Sequence, residues 1–537
     1  MISKFCNLSR EHIFERIQHF FAAPVVFIIL LIFFNVYLGR DVVLNPELSI
    51  TLKVLLVSSL VLLVYYIPFK LFYILLFIIP VFYFFGTVLP DKMARTYELS
   101  IIFLPALVSV IVFLKHRKWQ NVAPAIKYLL PLFLYIVFFI SSTLVNDSNL
   151  YRSIQSFQFE LRYFPIFLVL SMVVIKQERL LTILKIFFIA LCIYLISGYY
   201  HLIFGRFLPL YGDFFLNEIN ARGSLFGSFP LPLGRFFTPL GGHNMGGMFL
   251  VIGFLVFYTL WKTDPQIFRK VTGLKSIRVW QWLMIIGIIL TLSKMSFLSL
   301  MVGVWLVNFS LPHRKGKMLS LAIFGILLIL LFSSITLFIE IESDRLHDLP
   351  AFVKQVFPYY HFDLIQRGHN RPATYYFLFR ILSRDLKTFL FGLGPGNFGL
   401  ALGAYGVDVR ESSLFFEQLK QQVGYNYLPG IGTLLDSNVV SLSGQIGLVG
   451  MFFFFLIFLP IWLRAKRAYF HVNEPLGKSF ALMTMVVIPV FLLSGFSNTF
   501  WTVKPNALWF WVLCGIGMAQ INIIYGKEKS QNTSGIS

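Results

Sequence analysis

The sequence predicts an all-α polytopic membrane protein, and its composition and the spacing of its apolar runs both indicate this fold class. Of its 537 residues, 57% are hydrophobic and only 13% are charged, whereas soluble proteins carry about 25% charged residues. The mean hydropathy is +0.77. These values exclude a cytosolic enzyme, a secreted domain and a disordered scaffold. The apolar runs are continuous rather than alternating, which favours membrane-spanning helices over a β-barrel.

The apolar runs divide the chain into about fourteen predicted spans, since a transmembrane helix needs about 20 apolar residues. The runs at 278–292 and 295–311 are the shortest and are separated by a tight turn at Ser293-Lys294. The predicted spans are 21–38, 50–67, 70–90, 99–114, 127–145, 160–175, 180–203, 240–261, 278–292, 295–311, 317–339, 437–463, 478–496 and 504–525.

The distribution of basic residues predicts the orientation of these spans. The formal net charge is +21, which in a membrane protein indicates cytoplasmic loops and contact with anionic lipid rather than nucleic acid. With a cytoplasmic N-terminus, the basic clusters at 115–118, 269–278 and 464–467 all fall on the cytoplasmic side. We therefore expect the bacterial cytoplasmic (inner) membrane, crossed many times, with both termini in the cytoplasm.

This topology predicts five segments along the chain. They are a cytoplasmic interfacial helix at 1–20, a bundle of about eleven spans at 21–339 with an external loop at 204–239, an extracytoplasmic helical loop at 340–436, C-terminal spans at 437–525 and a cytoplasmic tail at 526–537.

The external loop at 204–239 is a candidate functional segment, because loops longer than about 15 residues are uncommon and often functional. It contains Arg222 and Arg235 among glycines and prolines that favour an irregular path. These arginines are suited to bind either a substrate anion or lipid headgroups. His243, in the motif Gly-Gly-His-Asn just after the loop, is predicted to be an interfacial histidine rather than a catalyst.

The external stretch at 340–436 carries a second set of basic residues. A helix is predicted to begin at His369-Asn370-Arg371-Pro372, with Asn370 as its cap, and to continue over 373–391. On such a helix three basic residues share one face. Together with two upstream arginines they suit a multiply charged anion such as pyrophosphate; the alternative is a solvated amphipathic face. The five residues are Arg367, Arg371, Arg380, Arg384 and Lys387.

Two further features flank the end of this stretch. The glycine-rich run at 391–399 resembles a nucleotide loop, but no strand precedes it and Pro395 lacks an amide donor, so it predicts a multiple-glycine turn. Asp436 immediately precedes a long apolar helix. It fits the N-cap of that helix, or a carboxylate that takes a proton from an acceptor hydroxyl.

An apolar bundle with external arginines and an external carboxylate fits glycosyl transfer from a polyprenyl-pyrophosphate sugar. The arginines would neutralise the departing pyrophosphate and the carboxylate would deprotonate the acceptor. The leaving group is already activated, so neither metal nor cofactor is required.

Four motifs in this order make the sequence similar to the O-antigen ligase and Wzy polysaccharide polymerase superfamily over about 220–460. The resemblance implies a GT-C-like helical fold and a metal-independent glycosyltransferase that acts on undecaprenyl-pyrophosphate glycans at the outer face of the membrane. The motifs are Arg222-Gly223-x3-Gly227, Ser293-Lys294-Met295-Ser296, the run Phe391–Phe398, and Asp436-Ser437-Asn438 with Gly444-x2-Gly447-Leu448-Val449-Gly450.

The resemblance also implies roles for individual residues. The arginine before the family's first glycine motif matches Arg222, and the arginine that opens the loop helix matches Arg371. Ligases typically carry His-Asn where this chain has Asp436-Ser437-Asn438, and an aspartate there is more like the polymerases. The expected catalytic residues are therefore Asp436, Arg222 and Arg371. The expected pyrophosphate-binding residues are Arg367, Arg380, Arg384 and Arg235, with His369 and His243 as further candidates.

Three functions remain open from the sequence. The first is a polymerase of O-antigen, capsule or exopolysaccharide, which moves a growing glycan onto a lipid-linked repeat unit. The second is a ligase of the same superfamily, which transfers a glycan to a lipid or protein acceptor. The third is a lipid-linked glycan flippase or transporter, although few polar residues lie within the spans. The expected partners are undecaprenyl-pyrophosphate-linked oligosaccharide and membrane lipids, with a chain-length regulator left open, and no nucleic acid.

Overall fold

The computed structural model describes a helical membrane protein. It describes residues 72–77, 122–161, 163–172, 177–204, 243–291, 293–311, 382–398, 437–496, 500–501 and 504–534, with single residues at 325 and 378. The chain divides into two units, 1–118 and 119–537. Of the first, only the helical stretch 72–77 is described. All regular secondary structure in the described ranges is helical.

The helices of the second unit are numbered here in chain order. They are α1 (Val122–Val145), α2 (Leu150–Leu161), α3 (Phe164–Met172), α4 (Gln177–Phe204), α5 (His243–Thr263), α6 (Pro265–Thr272), α7 (Arg278–Leu290), α8 (Lys294–Ser310), α9 (Leu386–Phe391), α10 (Asn438–His471), α11 (Pro475–Ser494) and α12 (Lys504–Ser534).

Six of these helices are long and apolar enough to cross a membrane, which confirms a multi-pass helical membrane protein. They are α1, α4, α5, α10, α11 and α12. Helices α7 and α8 are apolar but have only 13 and 17 residues, so each is shorter than the hydrocarbon core, which is about 30 Å thick. The predicted turn between them is confirmed: Ser293 caps α8, and its Oγ accepts a hydrogen bond from the amide of Ser296. The predicted spans 21–38, 50–67 and 99–114, and all of 70–90 and 317–339 except 72–77 and residue 325, lie outside the described residues.

Helix α10 packs against α1, α9, α11 and α12. Aromatic side chains pack between α10 and α12 and between α11 and α12. The rings of Phe458 and Trp511 stack with centroids 5.3 Å apart, and those of Phe491 and Phe510 stack at 3.7 Å. These contacts add to the burial of apolar surface and hold the helices in one register.

Hydrogen bonds from asparagine side chains or to them connect the ends of the helices at both ends of the bundle. At one end, the backbone amide of Trp501 donates to Asn438 Oδ1 at 2.8 Å, and Asn506 Nδ2 donates to the carbonyl of Met245 at 3.3 Å. At the opposite end, Asn522 Nδ2 donates to the carbonyl of Ser171 at 3.1 Å. The starts of α5, α10 and α12 therefore lie together, as the predicted alternation of spans requires.

Two sequence predictions about helices are wrong. The predicted span at 160–175 is divided: residues up to Leu161 belong to the amphipathic α2, and a turn at Tyr163 separates it from α3. The predicted helix at 373–391 is interrupted at 383–385, because Asp385 has an extended backbone (φ −154°, ψ 161°) and caps the short helix α9. A side chain that bonds the backbone ahead of it competes with a continuous helix.

Candidate functional site

The glycine-rich run after α9 forms a compact turn, as the sequence predicts. Gly392, Gly394 and Gly396 have φ values of 69°, 98° and 80°. This left-handed region is costly for residues with a Cβ atom. The alternate glycines therefore let the chain reverse direction within 391–398, a segment called here the glycine turn.

The glycine turn is joined to α10 at a break in that helix. Gly447 has φ 69° and ψ −178°, which is not helical and separates α10 into a short half before it and a long half after it. The amide of Leu393 donates to the carbonyl of Gly444, and the amide of Gly394 donates to the carbonyl of Gln445, both at 2.9 Å. The turn thus satisfies carbonyls that the break leaves without helical partners.

Gln445 connects three elements through its side chain, which is 2% exposed. Its Oε1 accepts hydrogen bonds from the amide of Gly396 at 3.0 Å and from Ser156 Oγ on α2 at 2.5 Å. Its Nε2 donates to Ser441 Oγ at 3.1 Å. Every one of these groups would be costly to bury without a partner.

Hydroxyl groups of α1, of α2 and of the link between them hold the other side of the glycine turn. Ser142 Oγ donates to the carbonyl of Phe391 at 2.6 Å, and Ser153 Oγ donates to the carbonyl of Pro395 at 3.1 Å. Asn397 Nδ2 donates to Ser148 Oγ at 3.1 Å. Three segments distant in sequence, at 142–156, 391–397 and 441–445, therefore meet at one polar junction.

The arrangement excludes an anion site at the glycine turn itself. The amides of Leu393, Gly394 and Gly396, which would have to face a phosphate, all donate to oxygens of Gly444 and Gln445. The turn therefore joins α9 to α10, which agrees with the sequence prediction of a turn rather than a nucleotide loop.

The start of α10 corrects one prediction. Its N-cap is Ser437, whose Oγ accepts from the amide of Val440 at 3.3 Å and donates to the carbonyl of Phe496 at 3.0 Å. The prediction that Asp436 is the cap is therefore wrong, because the adjacent serine fills that position. Asp436 itself lies outside the described residues, so its other predicted role stays a prediction.

Arg384 lies in the interruption before α9 rather than on a continuous helix. Its Nε is 3.6 Å from Asp385 Oδ2, and both side chains are more than 40% exposed. The prediction that Arg384 and Lys387 lie on one continuous helix is therefore wrong, while Arg380 lies outside the described residues. A backbone hydrogen bond from Thr388 holds the pKa of Asp385 below its ordinary value, with smaller contributions from the charges of Arg384 and Lys387.

Of the other predicted site residues, the structure describes only His243. His243 is the first residue of α5, at the end of the unit that also holds the start of α10. Outside the described residues lie Arg222, Arg235, Arg367, His369, Arg371, Arg380 and Asp436.

Several residues of the junction were missed from the sequence. The glycine motif alone does not indicate a role for Gln445, and the sequence analysis assigns none to Ser153, Ser156 or Glu160 on α2. Glu160 accepts a hydrogen bond from the buried Tyr135 hydroxyl at 2.5 Å. The available signal was the spacing of 153, 156 and 160, which places three polar side chains on one face of an amphipathic helix.

A second buried polar group surrounds the motif at 293–296. Ser296 Oγ donates to Ser293 Oγ at 2.8 Å, and a Cβ atom added to Gly247 on α5 would lie 2.6 Å from Ser296 Oγ and 2.9 Å from Thr291 Oγ1. The close approach of α5 to this turn therefore requires glycine at 247.

No protein-family model matches the chain, and no curated protein matches it. The resemblance described above thus rests on the motif residues alone.

Proposed function

We propose that the protein is a polysaccharide polymerase that transfers a growing glycan from undecaprenyl pyrophosphate to a lipid-linked repeat unit. One observation carries the proposal most directly. The glycine turn and the Gly444–Gly450 motif, which are separated in sequence, are joined by backbone hydrogen bonds at one end of a multi-pass bundle.

The proposed catalytic residues Asp436 and Arg371 lie close in sequence to the two elements that this contact joins. Phe398 is fully buried, and a Cβ atom on Gly444 would lie 2.1 Å from its ring, so the chain that precedes the segment 399–436 ends against the first half of α10. The segment returns at Ser437, the cap of the same half-helix. In sequence, Asp436 directly precedes this cap and Arg371 precedes the glycine turn.

The proposed reaction is a direct transfer. A hydroxyl oxygen of the acceptor sugar attacks the anomeric carbon of the donor, and the bond from that carbon to the pyrophosphate oxygen breaks. The carboxylate of Asp436 takes the hydroxyl proton. Arg222, Arg371 and Arg367 stabilise the charge that develops on the departing undecaprenyl pyrophosphate. In this proposal the junction faces the outside of the cytoplasmic membrane and both termini are cytoplasmic, because the opposite end of the described bundle carries most of the basic residues.

The test uses purified protein in liposomes with lipid-linked repeat units extracted from the same cells. Wild-type protein should form a ladder of long chains, and Arg371→Ala, Arg222→Ala and Asp436→Asn should abolish it. Arg467→Ala, which removes one exposed guanidinium near the far end of α10, is the matched control and should behave as wild type.

Three results would contradict the proposal. Long chains made equally well by Arg371→Ala and Asp436→Asn would remove these residues from the reaction. A single transfer to a foreign acceptor, with no ladder, would indicate a ligase. In cells, deletion of the protein should collapse the glycan ladder to single units on the outer face of the membrane, whereas loss of those external units would indicate a flippase.

A further inference from the structure

The opposite end of the bundle carries a dense group of exposed basic side chains. They lie at the end of α5, on α6, in the following link and at the start of α7, and they are called here the basic surface. Its members are Lys262, Arg269, Lys270, Lys275 and Arg278, all exposed.

Few acidic residues accompany the basic surface, either in the adjacent sequence or among the described residues. Asp264 is the one acidic residue between 262 and 278, and its carboxylate accepts a hydrogen bond from the amide of Ile267 at 3.0 Å as the N-cap of α6. Among the described residues, none of the five basic groups forms an ion pair. Several uncompensated cations in one place attract a polyanionic surface.

Helix α6 holds this surface rigidly across the end of the bundle. Ile267, Phe268 and Val271 are buried where α6 packs on α4 and α5. Gly273, with φ 71°, closes the helix through a hydrogen bond from its amide to the carbonyl of Arg269 at 2.8 Å. The apolar face of α6 is therefore buried against the bundle, and its charged face is the one that can contact a partner.

Two tryptophans beside the basic surface indicate that it lies at the level of the lipid headgroups. Lys262 Nζ lies 4.7 Å from the ring centroid of Trp261. Trp282, one helical turn after Arg278 on α7, is 65% exposed. Tryptophan and basic side chains arranged this way are typical of the membrane–water interface, so the basic surface lies where lipid phosphates are found.

We propose that the basic surface is a binding site for anionic phospholipid headgroups. Arg269 and Arg278 are suited to bidentate contacts with lipid phosphate, and Lys270 and Lys275 supply additional positive charge. Because the apolar face of α6 is already buried, the selectivity arises from headgroup charge and not from the acyl chains.

The experiment measures phospholipid retained by the full-length protein after reconstitution in phosphatidylcholine vesicles with or without phosphatidylglycerol, by native mass spectrometry. Wild-type protein should retain phosphatidylglycerol in preference to phosphatidylcholine. The variant with Arg269→Gln, Lys270→Gln, Lys275→Gln and Arg278→Gln should lose on the order of a hundredfold or more of this preference, since each of the four basic residues contributes a factor of about five.

The matched control exchanges arginine and lysine at the same four positions and should keep most of the preference, because the charge is retained. Equal retention by the glutamine variant would overturn the proposal. If that variant does not fold, a salt titration of the wild type decides: retention should fall with ionic strength, and salt-independent retention would overturn the proposal. Binding of polyglutamate without any preference for phosphatidylglycerol would also overturn it, in favour of an acidic protein partner.

Discussion

Gly392 and Gly447 face each other so closely that neither has room for a side chain. A Cβ atom on Gly392 would lie 2.6 Å from the amide nitrogen of Gly447, and one on Gly447 would lie 2.3 Å from the carbonyl oxygen of Leu390. Both contacts are with backbone, which cannot rotate away. Both glycines also have φ near 69°.

Alanine at either position should destabilise the junction by more than the strain of the left-handed backbone alone, which is about 1–2 kcal/mol. We expect Gly447→Ala and Gly392→Ala to lower the thermal stability of the detergent-solubilised protein. Gly273→Ala is the matched control, since Gly273 has φ 71° but a Cβ atom there would have no neighbour within 4 Å. Equal losses for Gly273→Ala and Gly447→Ala would contradict the close packing at the junction.

Gln445→Leu should be strongly destabilising because it leaves the Ser156 hydroxyl, the Gly396 amide and the Ser441 hydroxyl without their shared partner. Each buried group left unsatisfied costs about 1–3 kcal/mol. The amide of Gly396 should also exchange faster with deuterium, which mass spectrometry of the 386–398 peptide would detect.

The control for this substitution is Gln281→Leu on α7. Gln281 is half-buried, and its side chain makes no hydrogen bond to any described residue. It should change stability little. Unchanged exchange in the 386–398 peptide of Gln445→Leu would show that Gln445 does not hold the glycine turn.

Substitutions at the neighbouring residues Asp436 and Ser437 should have different effects, one on activity and the other on stability. Ser437→Ala removes the N-cap of α10 and should cost about 1 kcal/mol of stability. Asp436→Asn should leave the melting temperature unchanged, because Ser437 rather than Asp436 is the cap, while it abolishes polymerisation. Loss of stability in Asp436→Asn with activity retained would reverse this assignment.

The sequence predicted the spans well wherever a long apolar run forms its own helix. Within the described residues, the predicted spans at 180–203 and 478–496 match α4 and α11 within a few residues. The glycine turn was also predicted, because proline and alternate glycines restrict the backbone locally.

The features that depend on partners distant in sequence were not predictable in the same way. Gly447 looks like any glycine in an apolar helix until the glycine turn supplies hydrogen bonds to the carbonyls before it. Gln445 likewise has no local pattern that distinguishes a buried connecting residue from a lipid-facing one. The spacing of the basic residues predicts one continuous helix through 384. The break before α9 overrides it, because the Asp385 side chain accepts a hydrogen bond from the amide of Thr388 and caps a new helix.

The cap of α9 should weaken in acid. The pKa of Asp385 is lowered in the folded protein, so its contribution to stability is present above the unfolded pKa, which is about 3.9, and is lost as the pH falls through the folded value. Deuterium exchange in the 386–391 peptide, corrected for the intrinsic effect of pH, should therefore increase in acid. Asp385→Asn keeps a capping side chain without a titrating group and should remove this dependence. An identical pH dependence in both proteins would contradict the role of the carboxylate.

The two ends of the bundle should differ in their access from outside the cell. Leu150, next to the junction, is 68% exposed, and Ser276, beside the basic surface, is also exposed. In a background with the native cysteines replaced, Leu150→Cys should react with a membrane-impermeant maleimide in intact spheroplasts, and Ser276→Cys should react only after permeabilisation. This follows from the positive-inside distribution of lysine and arginine. Labelling of Ser276→Cys from outside would contradict the proposed orientation. The junction and Asp436 would then face the cytoplasm, whereas the proposed lipid-linked substrate is displayed on the outer face of the membrane.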